Sequence, residues 1–130
     1  MLELSSKNIK AIQAICESLI ESGHKNRSGG ANCVKASEVV APLLGGQLIL
    51  VDVSSPVTGQ KIGIEHGCVV LDDGTIVDPT IKQFQSKFPE GWPGYDDIAV
   101  IQRTASLYQY FQVNRKAMME HQMAQRSMGF

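Results

Sequence analysis

The sequence predicts an α+β fold in which helices come first, an antiparallel sheet follows, and a helix closes the chain. Three observations carry that reading. Apolar residues recur at helical spacing over 6–22, short runs rich in Val, Ile and Leu alternate with turn signals between 47 and 102, and helical patterning returns after 104.

In the first helix, 6–22, Ser5 or Ser6 is placed to cap the N-terminus. Ile9, Ile12, Ile15, Cys16, Leu19 and Ile20 share one face, and Gly23 is the stop signal. A polar, flexible glycine-bearing loop, His24 to Gly30, leads to a second helix over 32–44 that Gly45-Gly46 ends. Pro42 falls late in it, where its missing N–H strains only the last turn. Strands are expected over 47–53, 61–71, 75–78 and 98–102, with Asp72-Asp73-Gly74 as a tight turn. The Pro- and Gly-rich stretch 79–97 reads as a long surface loop, and 104–123 as the final helix.

At 130 residues, 43% hydrophobic and 19% charged, the chain fits one compact domain spanning 1–130. Its formal net charge is -1, which gives no global attraction to nucleic acid or to an anionic membrane surface. A pocket rather than a long-range field is expected to select the substrate. The three cysteines, Cys16, Cys33 and Cys68, are too few and too scattered for a disulfide framework. No paired Cys/His spacing suggests a metal, and no motif calls for a cofactor. Free thiols suit a reducing compartment, so a cytosolic site of action is expected. The opening MLELSSKNIK lacks the pattern of a secretory signal, which leaves a specialised export system open, and no apolar run reaches membrane-span length.

Cys33 stands out by position. It lies at the predicted start of the second helix, where unpaired N–H groups and the positive dipole end favour a thiolate and can hold a developing oxyanion. A free cysteine is ordinarily a small buried hydrophobe, and Cys16, mid-helix, and Cys68, mid-strand, fit that description. His66 lies on the strand 61–71 and Asp78 at the end of the next. A two-residue Asp73-Gly74 loop would put His66 and Asp78 on opposite sheet faces. A three-residue Asp72-Asp73-Gly74 loop sets Cys68 opposite Asp78 instead and makes His66 and Asp78 diagonal neighbours on one face. Asp-Asp-Gly suits the second, because its last position needs the left-handed conformation that glycine supplies. Asp78 is then able to orient His66, which leaves the other imidazole nitrogen for Cys33. The plainer reading of Asp78 is a strand end that primes a turn at Pro79.

Three segments carry a resemblance: Gly29-Gly30-Ala31-Asn32-Cys33, Glu65-His66-Gly67-Cys68-Val69-Val70, and Asp73-Gly74-Thr75-Ile76-Val77-Asp78-Pro79-Thr80. Together they resemble papain-like cysteine enzymes of bacterial toxins and effectors, including papain-fold toxin domains and protein glutamine deamidases. The resemblance implies a papain-like fold and a Cys33–His66–Asp78 triad that deamidates glutamine in a target protein. Partners would be a protein substrate of a host or competitor and possible cognate immunity proteins, met in the cytosol of the producing or target cell. Cysteine proteolysis and transglutaminase-like acyl transfer share the chemistry; an inactive papain-like binding module is the rival of another class. Papain itself places a glutamine shortly before the cysteine to complete its oxyanion hole, and none stands between Gln13 and Cys33. Asn26 and Asn32 are the candidate side-chain substitutes, with a backbone N–H as the alternative. Trp92 and Tyr95 are candidate substrate-side walls or covers for a core edge. His24 and Lys25 read as neighbours of a helix C-terminus, His121 as a solvated surface residue, and Met118, Met119, Met123 and Met128 as core packing with a frayed end.

Overall fold

A computed structural model of the chain describes residues 4–88, 93–95 and 97–128. Helix α1 spans Ser6–Glu21, and Ser5 caps it by accepting a hydrogen bond from the Asn8 N–H at 3.1 Å. Helix α2 spans Cys33–Leu44, capped by Asn32 and closed by Gly45 at φ 68°. The strands are β1 Gln47–Ser54, β2 Lys61–Val70, β3 Ile76–Asp78, β4 Gly94–Tyr95, β5 Ile98–Ile101 and β6 Phe111–Val113, and helix α3 spans Arg115–Met128. Among the described residues the strands form one antiparallel sheet in the order β4-β5-β3-β2-β1-β6.

Side-chain alternation gives the sheet two covered faces. Val69, Leu71, Val77 and Ile98 meet Ile12 of α1 and Val40 and Ala41 of α2. On the opposite face Val51, Val53, Cys68, Ile76 and Ile101 pack with Ile81, Phe84, Phe88 and Phe111. Each large aliphatic side chain moved from water into these layers contributes roughly 1.5–3 kcal/mol.

Two expected elements change. The stretch 79–97 is not a bare loop: Ile81–Lys87 forms a 3-10 helix, and β4 pairs with β5. Ile81 and Phe84 are both buried, so apolar burial overrides the turn-rich composition there. The predicted helix 104–123 divides into a 3-10 turn Ser106–Tyr110, strand β6 and then α3. The Leu107–Val113 stretch is rich in Tyr, Phe and Val, which suit a pleated edge, and Val113 registers opposite Val51. Asn114 then starts α3, its Oδ1 accepting from the Ala117 N–H at 2.9 Å. Met118 packs inward, its sulfur accepting from the Leu50 N–H at 3.0 Å, whereas Met119 and Met123 are exposed. His121 is not a solvated residue. It is half-buried beside a cavity of about 320 Å³ between α2, α3 and the start of β1. Its Nε2 meets no partner among the described residues.

Ser37, one turn beyond Cys33 on α2, is fully buried, and its hydroxyl has no partner among the described residues. An unpaired buried hydroxyl costs roughly 1–3 kcal/mol, and alanine is also the better helix former. Ser37→Ala should therefore raise the midpoint of denaturant unfolding, by on the order of 1 kcal/mol in stability. An unchanged or lowered midpoint would show that the hydroxyl is satisfied in solution.

Candidate active site

The turn after β2 decides the site. Leu71 N–H donates to Thr75 O and Gly74 N–H to Leu71 O, both at 2.9 Å, around the three-residue Asp72-Asp73-Gly74 loop. Gly74 has φ +88°, the left-handed conformation the turn requires. Val69 pairs with Val77 and Val70 with Ile76, so Cys68 stands in line with Asp78. His66 and Asp78 consequently share a face, with Nε2 of the imidazole 2.6 Å from Asp78 Oδ2 and both residues buried.

Asp78 serves both readings of it at once. Its Oδ2 holds His66, while its Oδ1 accepts from the Thr80 N–H at 3.0 Å and the Thr80 hydroxyl at 3.4 Å, an Asx turn across Pro79. Gln83 Nε2 donates to Thr80 O and Oγ1, both at 3.1 Å, and extends the support. The Phe84 ring stands edge-on to the imidazole with centroids 4.9 Å apart, an apolar wall that excludes water from the pair.

Cys33 arrives from the other side of the sheet, at the N-terminus of α2. The Asn32 side chain accepts from the Val34 and Lys35 amides at 3.1 Å, and Asn32 O accepts from Ala36 at 2.9 Å. Of the four amides that open a helix, the one Asn32 leaves unclaimed is that of Cys33. The cap sits closely on Gly67: a Cβ there would lie 2.9 Å from Val34 Cα and 3.0 Å from Val34 N. Only glycine admits this approach.

The sulfur also has a backbone donor. Both Leu50 polar groups point to the β6 side, the N–H to Met118 and the O to Asn114 N–H. Its register partner Gly67 therefore points its own N–H toward β3. The strand register would put Pro79 opposite Gly67, and proline has no N–H with which to continue a ladder. Into that gap comes Cys33, whose Sγ accepts the Gly67 N–H at 3.3 Å.

Burial pushes the Cys33 thiol up, but the hydrogen bond and charge of His66, with the Gly67 amide, outweigh it and bring the pKa below the ordinary 9.0. Burial alone would discharge His66, yet the Asp78 carboxylate and the bond to Cys33 raise its pKa to about 10. With Nε2 given to Asp78, Nδ1 is the imidazole nitrogen left to face the sulfur. Both shifts run in the direction that favours a thiolate beside an imidazolium. The other two thiols move the opposite way. Desolvation, with Asp78 and other carboxylates, takes Cys16 to about 11, and Cys68 goes well above its ordinary range for want of water.

Other sequence candidates take different roles. Asn32 caps α2, and Asn26 organises the loop: its Oδ1 accepts from Ser28 and Gly30 at 2.8 and 3.1 Å, and its Nδ2 donates to Ala31 O at 3.0 Å. Asn26 has its Nδ2 committed to Ala31 O, whereas Asn32 caps through Oδ1 alone, so the Asn32 Nδ2 and the Cys33 N–H stay as the oxyanion candidates. The loop read as flexible is thus tied to its own side chain. Tyr95 covers a core edge, its hydroxyl donating to Leu4 O at 3.3 Å, and Trp92 lies outside the described residues. The sequence reading missed Gly67, Thr80 and Phe84. Asp78-Pro79-Thr80 carried a signal for Thr80, and an Asx turn needs the acceptor two residues back.

Among the described residues no cluster of His, Cys, Asp or Glu is arranged to hold a metal, and no helix is long and apolar enough to cross a membrane. The chain matches no protein-family model, no curated protein and no solved structure.

Gly67→Ala tests the close approach. The new methyl meets backbone rather than a movable side chain, an overpacking that costs roughly 1–3 kcal/mol. It should lift the first turn of α2 off β2 and slow iodoacetamide alkylation of Cys33 at neutral pH by tenfold or more, as estimated from the cost of ~1 Å misplacement. Alkylation of Cys33 at the wild-type rate in a folded Gly67→Ala chain would remove this contact from the mechanism.

Proposed function

We propose that the chain is a cysteine-dependent amidohydrolase of papain-like architecture, with Cys33 as nucleophile, His66 as general base and acid, and Asp78 orienting the imidazole. The arrangement that carries the reading is a thiol at the start of α2 whose sulfur takes the Gly67 N–H at 3.3 Å, with the imidazole of His66 held 2.6 Å from Asp78; His66 and the Gly67 amide both lower the Cys33 pKa. A thiolate at a helix N-terminus, beside a histidine fixed by a buried carboxylate, is equipped for attack on an acyl carbon.

The reaction follows from these positions. The Cys33 sulfur adds to a carboxamide carbon, and the developing oxyanion is met by the Cys33 N–H. His66 gives its proton to the departing nitrogen as the C–N bond breaks, leaving a thioester. Water, deprotonated by the now neutral His66, attacks the thioester. The C–S bond breaks, a carboxylic acid leaves and the thiolate returns. The resemblance supports the side chain of a glutamine in a target protein as the amide, in the manner of a bacterial toxin or effector. A cavity of about 470 Å³ lies beside the site, between Gly29, Gly30 and Ala31 before the nucleophile and Pro79, Thr80 and Gln83 after Asp78; Cys33, His66 and Asp78 do not line it, so it is a neighbouring groove and does not set the size of the substrate.

A blocked Gln-Gly peptide offered with hydroxylamine tests the proposal. The wild-type chain should release ammonia and, with the nucleophile present, form the hydroxamate that marks an acyl-enzyme. Cys33→Ala, Cys33→Ser and His66→Ala should each abolish both products, and Asp78→Ala should retain a residue lowered on the order of a hundredfold. New peptide termini in place of ammonia would move the activity to proteolysis. Absence of all three products from glutamine-bearing peptides and proteins would sink acyl chemistry at this site.

Turnover should be bell-shaped in pH. It rises as Cys33 ionises, below the 9.0 of an ordinary thiol. It falls as the His66 proton is lost through about pH 10. A rise that begins only with ordinary thiol ionisation contradicts the ion pair.

A further inference from the structure

We propose that Asp52 is a positioning residue for the Cys33–His66 pair, acting by holding a β-bulge at Glu65 that anchors the backbone on which His66 stands. Along β1 and β2, Val51 pairs with His66 but Val53 pairs with Gly63. Two steps on β1 thus correspond to three on β2, so one extra residue is inserted just before His66. Residues three apart on a regular strand face opposite sides. Here they face the same side: a Cβ on Gly63 would lie 2.6 Å from Phe84 Cζ, and the His66 ring is 4.9 Å from the Phe84 ring. The neighbours Ile64 and Glu65 are both exposed, as the two outward residues of a bulge must be. His66 keeps the regular alternation of Gly67 and Cys68, so the extra residue is absorbed immediately before it and brings Gly63 to the same side, against Phe84.

The bulge depends on an unfavourable backbone. Glu65 has φ +56°, the one non-glycine residue at positive φ among those described. Its freed N–H donates to Asp52 Oδ1 at 3.1 Å, and the same oxygen accepts from Asn114 Nδ2 at 3.1 Å. Asp52 Oδ2 pairs with Lys61 at 3.1 Å, an exposed contact that solvent screens. Asp52 therefore satisfies the amide that the left-handed turn detaches from the ladder, and Asn114 ties the carboxylate to the start of α3. Asp52 touches neither reacting atom; its influence passes through Glu65 to the backbone of the next residue, His66.

The proposal rests on the thiolate–imidazolium reading of Cys33 and His66, and it is tested through the rate of Cys33 alkylation by iodoacetamide as a function of pH. Asp52→Ala should move the acid limb of that profile toward an ordinary thiol and lower the neutral-pH rate on the order of tenfold. Glu65→Gly alone should keep the wild-type profile, because glycine enters the left-handed region freely. The double variant Asp52→Ala/Glu65→Gly should recover it. That rescue cannot be electrostatic, since both substitutions remove a negative charge and act on the thiol in the same direction. Should Asp52→Ala not fold, Glu65→Val carries the test. It removes the same charge as Glu65→Gly on an exposed position but penalises the left-handed backbone, and should shift the profile as Asp52→Ala is expected to. A wild-type profile in Asp52→Ala or in Glu65→Val, or no rescue by Glu65→Gly, overturns the positioning role. If wild-type Cys33 alkylates no faster than Cys16, the ion-pair reading itself fails instead.

Discussion

The contact between the first turn of α2 and Gly67 of β2 is the constraint on which the rest depends. A helix resting on a sheet normally stands off by the thickness of the intervening side chains. At Gly67 there is none, and the helix backbone comes within what would be 3.0 Å of a Cβ. That removes the distance that would otherwise keep a residue on the helical face from one on the far face. β3 ends at Asp78, with Pro79 next, so no strand fills the space beside Gly67. The sulfur takes both the space and the N–H, and it meets an imidazole that belongs by alternation to the other layer. One absent side chain and one absent N–H bring together groups that the pleat would keep apart.

The His66–Asp78 pair illustrates why such a site needs the surrounding polar contacts. Burying an ionised carboxylate and an imidazolium is unfavourable, and their mutual attraction offsets the cost only when the remaining lone pairs are satisfied. Both Asp78 oxygens are engaged, one by His66 and one by Thr80. Phe84 adds the opposite ingredient. By keeping water from the imidazole it strengthens the charge interaction that it encloses. The same turn that satisfies Asp78 also ends β3, so support of the acid and opening of the sheet are one local event at Pro79.

Much of this was legible in the residues. The α+β order, a serine cap for α1, the end of α2 at Gly45 and the register set by Asp72-Asp73-Gly74 follow from local rules that tertiary contacts did not override, whereas Asn32, read as the first helical residue, is in fact the cap of α2. The His66–Asp78 contact was legible because strand period and turn length together determine which side chains share a face. The helix expected over 104–123 failed because periodicity there also suits an edge strand, and the pairing of Val113 with Val51 decides between them. Ile81–Lys87 was hidden by prolines and glycines on its flanks, although Ile81 and Phe84 are apolar at i, i+3 spacing. The bulge was not legible at all. Glu65 has no preference for positive φ, and its conformation is held by Asp52 and Asn114, residues far away in sequence. The role of Asn26 was equally invisible, since a donor for substrate and a donor for its own loop have the same composition.

The three thiols show how little separates a structural cysteine from a reactive one. All three feel burial, which disfavours a thiolate, and all three feel the negative charge of Asp78, which disfavours it further. Cys68 is more completely buried than Cys33 and lies opposite Asp78 in the strand register, so nearness to the acid is no activation. Cys16 has a carbonyl for its neighbour, its Sγ 3.7 Å from Pro79 O, and a carbonyl stabilises a thiol rather than a thiolate. What Cys33 has in addition is donors: the imidazole on one side and the Gly67 N–H on the other. Asp78 therefore acts on Cys33 in two opposed ways. Directly it opposes the thiolate; through His66, which it keeps protonated, it favours it. The second prevails because the imidazolium stands between acid and sulfur and hydrogen-bonds the sulfur itself. The ionisation of Cys33 accordingly depends less on the presence of an acid nearby than on the orientation of the one ring that separates them.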